Sequence, residues 1–280
     1  MNIKIWGLRG SISVSGCEYK KYGGDTTCLE VRSGSGDVII IDGGTGIRAC
    51  GNSAIKEGLR EFNLLFTHFH WDHVLGFPFF RPLYRDDVKM RIFGHSYTKR
   101  PFEKHLFRVM DKPYFPVALS NLSRNITFKN IDKKKFRIGS MEVSVIELNH
   151  PNHGLGYRFS ENGKDFVFLT DNELSHKHHG GCSVQEYMRF CEGADLLIHD
   201  SEFTPQEYVK YYKGWGHSNY ADVVEMATAA GVKRLGLCHH NQNHSDAKID
   251  GIVDECLKII KEKHSRMQCF AAAQNQLIKF

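Results

Sequence analysis

The segment Thr67-His68-Phe69-His70-Trp71-Asp72-His73 sets three imidazoles and one carboxylate side by side. Such a density of polar groups is unfavourable unless something is bound. On an extended chain, residues two apart face the same way, so His68 and His70 can converge on one ion. Beyond them the chain turns, and Asp72 and His73 can then face a neighbouring ion. Imidazole nitrogen mixed with carboxylate oxygen suits zinc, and iron or manganese would also fit. The competing reading is a helix N-terminus that Asp72 caps while the histidines stay solvated.

These groups need strand ends to deliver them. Residues 62–67 read as a buried strand, because Leu64, Leu65 and Phe66 run without polar alternation, and the strand ends on His68. Three further apolar runs share that grammar: 143–148 leads into His150, 166–169 into Asp171, and 235–238 into His239 and His240. Asp171 could bridge two metals with its two oxygens, while His150 and His239 would complete the separate ions. Other strands are expected at 3–6, 28–32, 38–41, 90–93, 126–131, 156–159 and 196–198, with helices over 45–57, 183–192, 219–230 and 246–264. Strand-rich blocks interleaved with helices suggest an α+β chain, two sheets covered outside by helices. Neither G-x-G-x-x-G nor a P-loop occurs. A single domain spans 1–280, with 96–123 as an insertion forming a lid or a dimer arm. Trp71 is expected to pack, and the histidine-rich stretch 176–181 to form an exposed loop.

The H-x-H-x-D-H pattern at 68–73, F-L-T-D at 168–171, G-H-S at 216–218 and L-C-H at 237–239 resemble the metallo-β-lactamase superfamily, in its ribonuclease Z and cyclic phosphodiesterase branch. The resemblance extends back through D-G-G-T-G at 42–46 and Y-G-G-D-T-T-C at 22–28 to I-W-G-L-R-G-S at 5–11. It implies an αββα four-layer sandwich with a dinuclear site between the sheets, holding two divalent ions, Zn2+ or Mn2+. His68, His70 and His150 would hold one ion, Asp72, His73 and His239 the other, and Asp171 would bridge them. His240 has no assigned role. Asp42 resembles the family's aspartate that accepts a hydrogen bond from a ligand imidazole and fixes its tautomer, with turn capping as the alternative. H-D-S-E at 199–202 and G-H-S resemble the acid and histidine used beside the phosphate, with Asp200 where the family's usual glutamate stands. Asp72, Asp200 and His217 form the expected catalytic set, with Ser218 capping the helix that follows.

Two ions sharing a hydroxide lower its pKa and offset charge on the reacting oxygens. The substrate is weighed on charge. A net charge of +5, with no arginine-rich tail, favours a small anionic phosphodiester, a cyclic nucleotide or ribose cyclic phosphate, over RNA 3′-processing. A non-phosphodiester metallo-hydrolase and a metal-binding module without turnover are the remaining alternatives. No basic-then-apolar leader and no long apolar run appear, so a cytoplasmic protein without a membrane partner is expected. The eight cysteines include no C-x-x-C and are expected as reduced thiols. A homodimer is possible, with 96–123 reaching a partner's site.

Overall fold

The computed structural model describes residues 1–97, 100–122 and 125–280. The first half runs β1 (Asn2–Gly7), β2 (Cys28–Arg32), β3 (Val38–Ile41), α1 (Ile47–Lys56), β4 (Glu61–Leu65), α2 (Trp71–Val74), β5 (Lys89–Gly94), α3 (Glu103–Val109) and β6 (Ile126–Asn130). The second half begins with β7 (Lys135–Ile138), β8 (Met141–Glu147), β9 (Leu155–Glu161), β10 (Lys164–Leu169), α4 (Val184–Cys191) and β11 (Leu196–Asp200). It closes with α5 (Pro205–Glu207), a π-helical turn Tyr208–Tyr212, α6 (Tyr220–Ala229), β12 (Arg234–Cys238), α7 (Asp246–Glu262), β13 (Gln268–Ala271) and β14 (Leu277–Lys279).

Among the described residues the strands form two seven-stranded sheets, ordered β14-β1-β2-β3-β4-β5-β6 and β13-β12-β11-β10-β9-β8-β7. β3 reads Val38-Ile39-Ile40-Ile41 without alternation because both of its faces are covered. Ile39 and Ile41 meet Tyr157, Phe159, Phe166 and Phe168 of the opposite sheet. Val38 and Ile40 face outward onto Cys50 and Ala54 of α1. In the second sheet Ile198 joins the inner core, whereas Leu197 packs outward with Val223, Val224 and Cys256 of α6 and α7. The layers are therefore helix, sheet, sheet, helix, the expected αββα sandwich.

Strand direction makes the rim chemically rich. β3 to β6 run parallel, as do β10 to β13. β8 and β10 both pair antiparallel with β9, so they too run the same way. Asp42, His68, His150, Asp171, Asp200 and His239 all stand at or just beyond the carboxyl ends of such strands, where open α/β sheets bind ligands.

Three strands escaped the sequence reading, and all are edge strands: β7, β13 and β14. The inserted segment packs against the first sheet through Phe102, Leu106, Met110 and Leu119, which are buried with its outer core. Lys99 and Ser123 of that segment lie outside the described residues. Trp71 does not pack as expected: it is 77% exposed, because the short α2 buries Asp72, His73 and Val74 on its other side. The loop 176–181 is largely exposed, with His178 tied down by a 2.7 Å bond between its Nε2 and Glu173 Oε2. No helix among the described residues is long and apolar enough to cross a membrane.

Candidate metal centre

Two groups of donors meet at the rim. Ligand atoms of His68, His70, His150 and Asp171 gather within 4.8 Å of one another, and so do those of Asp72, His73, Asp171 and His239. Asp171 belongs to both, with Oδ2 3.6 Å from His68 Nε2 and Oδ1 3.2 Å from His73 Nε2. β4 ends one turn before His68, and α2 carries Asp72 and His73 back under it. β8, β10 and β12 supply His150, Asp171 and His239 from the opposite sheet.

Hydrogen bonds at the outer ring nitrogens set the tautomers. Thr67 gives its backbone N–H to Asp42 Oδ1 and its hydroxyl to Asp42 Oδ2, both at 2.7 Å. The hydroxyl oxygen can then accept from His68 Nδ1 at 3.1 Å, and His73 Nδ1 donates to Asp42 Oδ2 at 2.8 Å. His150 Nδ1 donates to the Gly216 carbonyl at 2.9 Å. In each ring this leaves Nε2 as the inward lone pair, the arrangement a metal ligand needs.

The donor set fits divalent cations. Nε2 of His68 and of His73 is buried without a hydrogen-bond partner, an arrangement that is unfavourable unless a cation completes it. His150 Nε2 faces His70 Nδ1 at 3.1 Å, nitrogen to nitrogen. Burial pulls the His73 imidazole down, but Asp72, Asp171 and Asp42 outweigh it and hold that ring well above the usual histidine range. His239 is held up likewise against burial, by Asp171, Asp72 and Glu202. Where no such excess of carboxylate surrounds it, burial wins and His150 drops to about 3. The carboxylates thus call for positive charge in the space between the rings.

Backbone strain accompanies this convergence. Asp42, Asp171 and His239 all adopt left-handed φ angles, 61°, 47° and 57°, at roughly 1 kcal/mol each for a residue with a Cβ. Each stands just past a strand, where the kink turns its side chain into the rim. Two glycines provide clearance. A Cβ on Gly10 would lie 2.4 Å from His239 Nδ1, and one on Gly216, whose φ is +96°, would lie 2.1 Å from His150 Nδ1.

Asp200, His217 and His239 form a third cluster beside the second donor group. His217 Nδ1 donates to Asp200 Oδ2 at 2.9 Å, and its ring stacks on His239 with centroids 4.5 Å apart. Burial lowers the His217 pKa, yet Glu202 and Asp200 prevail and raise it to about 9. Glu202 is a site residue that sequence reasoning missed. Its Oε2 lies 3.2 Å from His239 Nδ1 and 3.4 Å from His217 Nδ1, and Asn241 Nδ2 donates to its Oε1 at 2.7 Å. The signal was present in H-D-S-E, where the second acid stands two residues after Asp200, on the same side of an extended chain.

Glu173 was also missed, and no motif marks it. Fully buried, it accepts from Tyr208 Oη at 2.7 Å, Gly214 N at 2.6 Å and Gly216 N at 2.7 Å, and so pins the loop that presents His217. The helix after His217 is capped by Asn219, not Ser218. The Asn219 side chain accepts from the backbone N–H groups of Ala221 and Asp222 at 3.1 and 3.2 Å. Ser218 is turned away, donating to Asn172 O at 2.6 Å. His240 takes no part in the donor groups; its Nε2 donates to Ala272 O at 2.9 Å.

Comparison with known proteins places this geometry. A family model described as the beta-lactamase superfamily domain matches residues 38–240. The chain is 23% identical over 248 residues to the ribonuclease Z of Oceanobacillus iheyensis, covering 71% of this chain and 78% of that protein. It is 28% identical over 236 residues to the ribonuclease Z of Sulfolobus acidocaldarius, covering 72% and 77%. Among solved structures, the metallo-beta-lactamase fold protein YhfI of Bacillus subtilis superposes with a TM-score of 0.72 at 16% identity, over 99% of this chain and 98% of that one. The short form of human tRNase Z gives 0.65 at 17% identity, over 100% and 99%.

Proposed function

Because the chain belongs to the beta-lactamase superfamily and is a metal-dependent hydrolase, we propose that it cleaves phosphodiesters at a dinuclear centre held by His68, His70, Asp72, His73, His150, Asp171 and His239. The observation that carries this reading is His217, hydrogen-bonded to Asp200 at 2.9 Å and stacked on His239. Bound divalent ions, zinc or manganese by the mixed nitrogen and oxygen donors, would supply a water of lowered pKa and charge opposite the phosphate oxygens. His217 then has the remaining work. With Nδ1 committed to Asp200, its Nε2–H is the group free to donate to a non-bridging oxygen or to the departing alkoxide. The carboxylates of Asp200 and Glu202 keep that proton in place at neutral pH.

Charge alone favoured a small diester, but the curated relatives named above are ribonuclease Z, and this shifts the weight to RNA 3′-end processing. A specific observation keeps the small nucleotide diester as a second reading: the described part of 96–123 packs against the first sheet. Turnover of precursor transfer RNA, 3′,5′-cyclic nucleotides, ribose cyclic phosphates and bis(p-nitrophenyl) phosphate should be compared by kcat/KM, with zinc or manganese supplied. Hydrolysis that requires the metal and is greatest on the precursor is the expected result. Preference for a cyclic nucleotide would promote the second reading, and cleavage of esters or amides without any phosphodiester would overturn both.

A further inference from the structure

Beyond His68, His70 and His150 the rim opens into a cavity of about 690 Å3. Its walls are rings. Tyr97 lies flat on His153, with centroids 4.6 Å apart and planes 9° from parallel. Phe69 lies flat on His105 at 4.9 Å and 17°. His95 meets Tyr97 edge-on at 4.5 Å. Four separate stretches supply them: the ligand segment, the turn after β5, α3, and the loop after β8. We propose that this cavity is a base subsite, taking the nucleobase of a nucleotide phosphodiester whose phosphate lies at the metal centre. The inference rests on the phosphodiesterase reading above.

The chemistry of the walls selects such a group. Among the described residues no lysine or arginine lines the cavity, so a second phosphate would find no cation to pair with. A flat, uncharged heterocycle would find aromatic faces, and stacking on them contributes about 1–3 kcal/mol per base. Burial holds His105 below the usual histidine range, with the positive charge of Arg108 and Arg100 acting the same way. A neutral imidazole offers one donor and one acceptor, as a base edge requires. The volume lies within the range of roughly 300–1,000 Å3 common to small-molecule sites. The imidazoles of His95, His105, His153, His178 and His179 do not form a further ion site: none belongs to a donor group among the described residues. Through His105 on α3, the inserted segment becomes part of the substrate pocket.

Two diesters that share a leaving group separate base recognition from phosphate chemistry: thymidine 5′-(p-nitrophenyl phosphate) and methyl p-nitrophenyl phosphate. The nucleoside ester is expected to have the higher kcat/KM, by about 10–100-fold given the stacking energy. Tyr97→Ala and His153→Ala should each shrink that ratio by about tenfold, while Tyr97→Phe, which keeps the ring, should preserve it. Equal turnover of both esters, or a ratio unmoved in both alanine variants, overturns the subsite and leaves the phosphodiesterase reading standing. If neither ester is hydrolysed, the phosphodiesterase reading rests on the substrate comparison above and calorimetry on the same proteins decides the subsite. AMP binding tighter than ribose 5-phosphate and weakened by Tyr97→Ala supports it; equal binding of the two overturns it.

Discussion

At His217 the decisive experiment is a change of leaving group. His217→Ala should retain its metal while kcat on a ribose ester falls by about 10²–10⁴, the range for losing a positioned acid or base. On a p-nitrophenyl ester the defect should shrink, since p-nitrophenolate leaves without a proton. An equal defect on both substrates would mean that the ring clamps the phosphate instead, and unchanged activity on both would defeat the assignment. Asp171 is tested by metal content. Its two oxygens face the two donor groups separately, so Asp171→Asn should loosen both ions, whereas His70→Ala should release the ion on its own side alone. Elemental analysis of untagged protein distinguishes the two patterns. At this scale the sequence was informative where residue type and strand end coincide, as at His68, Asp171 and His239. It was silent at Glu173, whose four partners, Tyr208 on the π-helical turn and Gly214, Gly216 and His178 on loops, approach it in a way no local pattern encodes. Glu202 was hidden for another reason: Asp200 already filled the expected acid's place.

The element that presents His217 is a loop, and its weakest tolerance is at Gly216. A methyl group there would collide with His150, and the positive φ would strain any residue bearing one. Gly216→Ala should therefore destabilise the protein by more than about 1 kcal/mol and lower metal content, through a displaced His150. Urea unfolding together with elemental analysis checks both halves; normal stability with full metal would show that the loop yields more easily than its geometry implies. Elements differ in how plainly the sequence announced them. β2 and β3 were legible to the residue: burial on both faces keeps β3 apolar throughout, and in β2 the buried Glu30 interrupts the apolar run only where Trp6 Nε1 donates to it at 3.1 Å. The edge strands β7, β13 and β14 were not, because exposure leaves them few apolar positions and their pairing is decided by distant partners. The Asn219 cap was missed since Ser218 is an equally good capping residue by type, and only the bond to Asn172 takes it out of contention.

For the whole molecule, the donors fall on both sheets. His68, His70, Asp72 and His73 come from the first, and His150, Asp171 and His239 from the second, so ions bound by these groups would join the two halves of the sandwich. A ligand that binds only the folded state stabilises it by about 2.7 kcal/mol at a hundred times its Kd. For a domain of this size that corresponds to a rise in Tm of roughly 5–10 °C. Chelation should lower the Tm of the wild-type protein by such an amount and that of Asp171→Asn by much less. A chelator without effect on the wild type would mean that the centre contributes nothing to holding the sheets together.

The left-handed backbone at Asp171 and His239 sets stability and turnover against each other at two defined codons. In metal-free protein each position confines a side chain where glycine would sit at ease, and at 171 that side chain is also a buried carboxylate. Asp42 shares the backbone but is held in place by the bonds it accepts from Thr67 and His73. A library selected for heat resistance alone, with chelator present, should accumulate glycine at 171 and 239. The same library selected for hydrolysis should never do so. Survivors of the first selection would keep the sandwich and lose the chemistry, so natural drift toward a sturdier, inactive descendant would leave its trace at residues 171 and 239 before anywhere in the core.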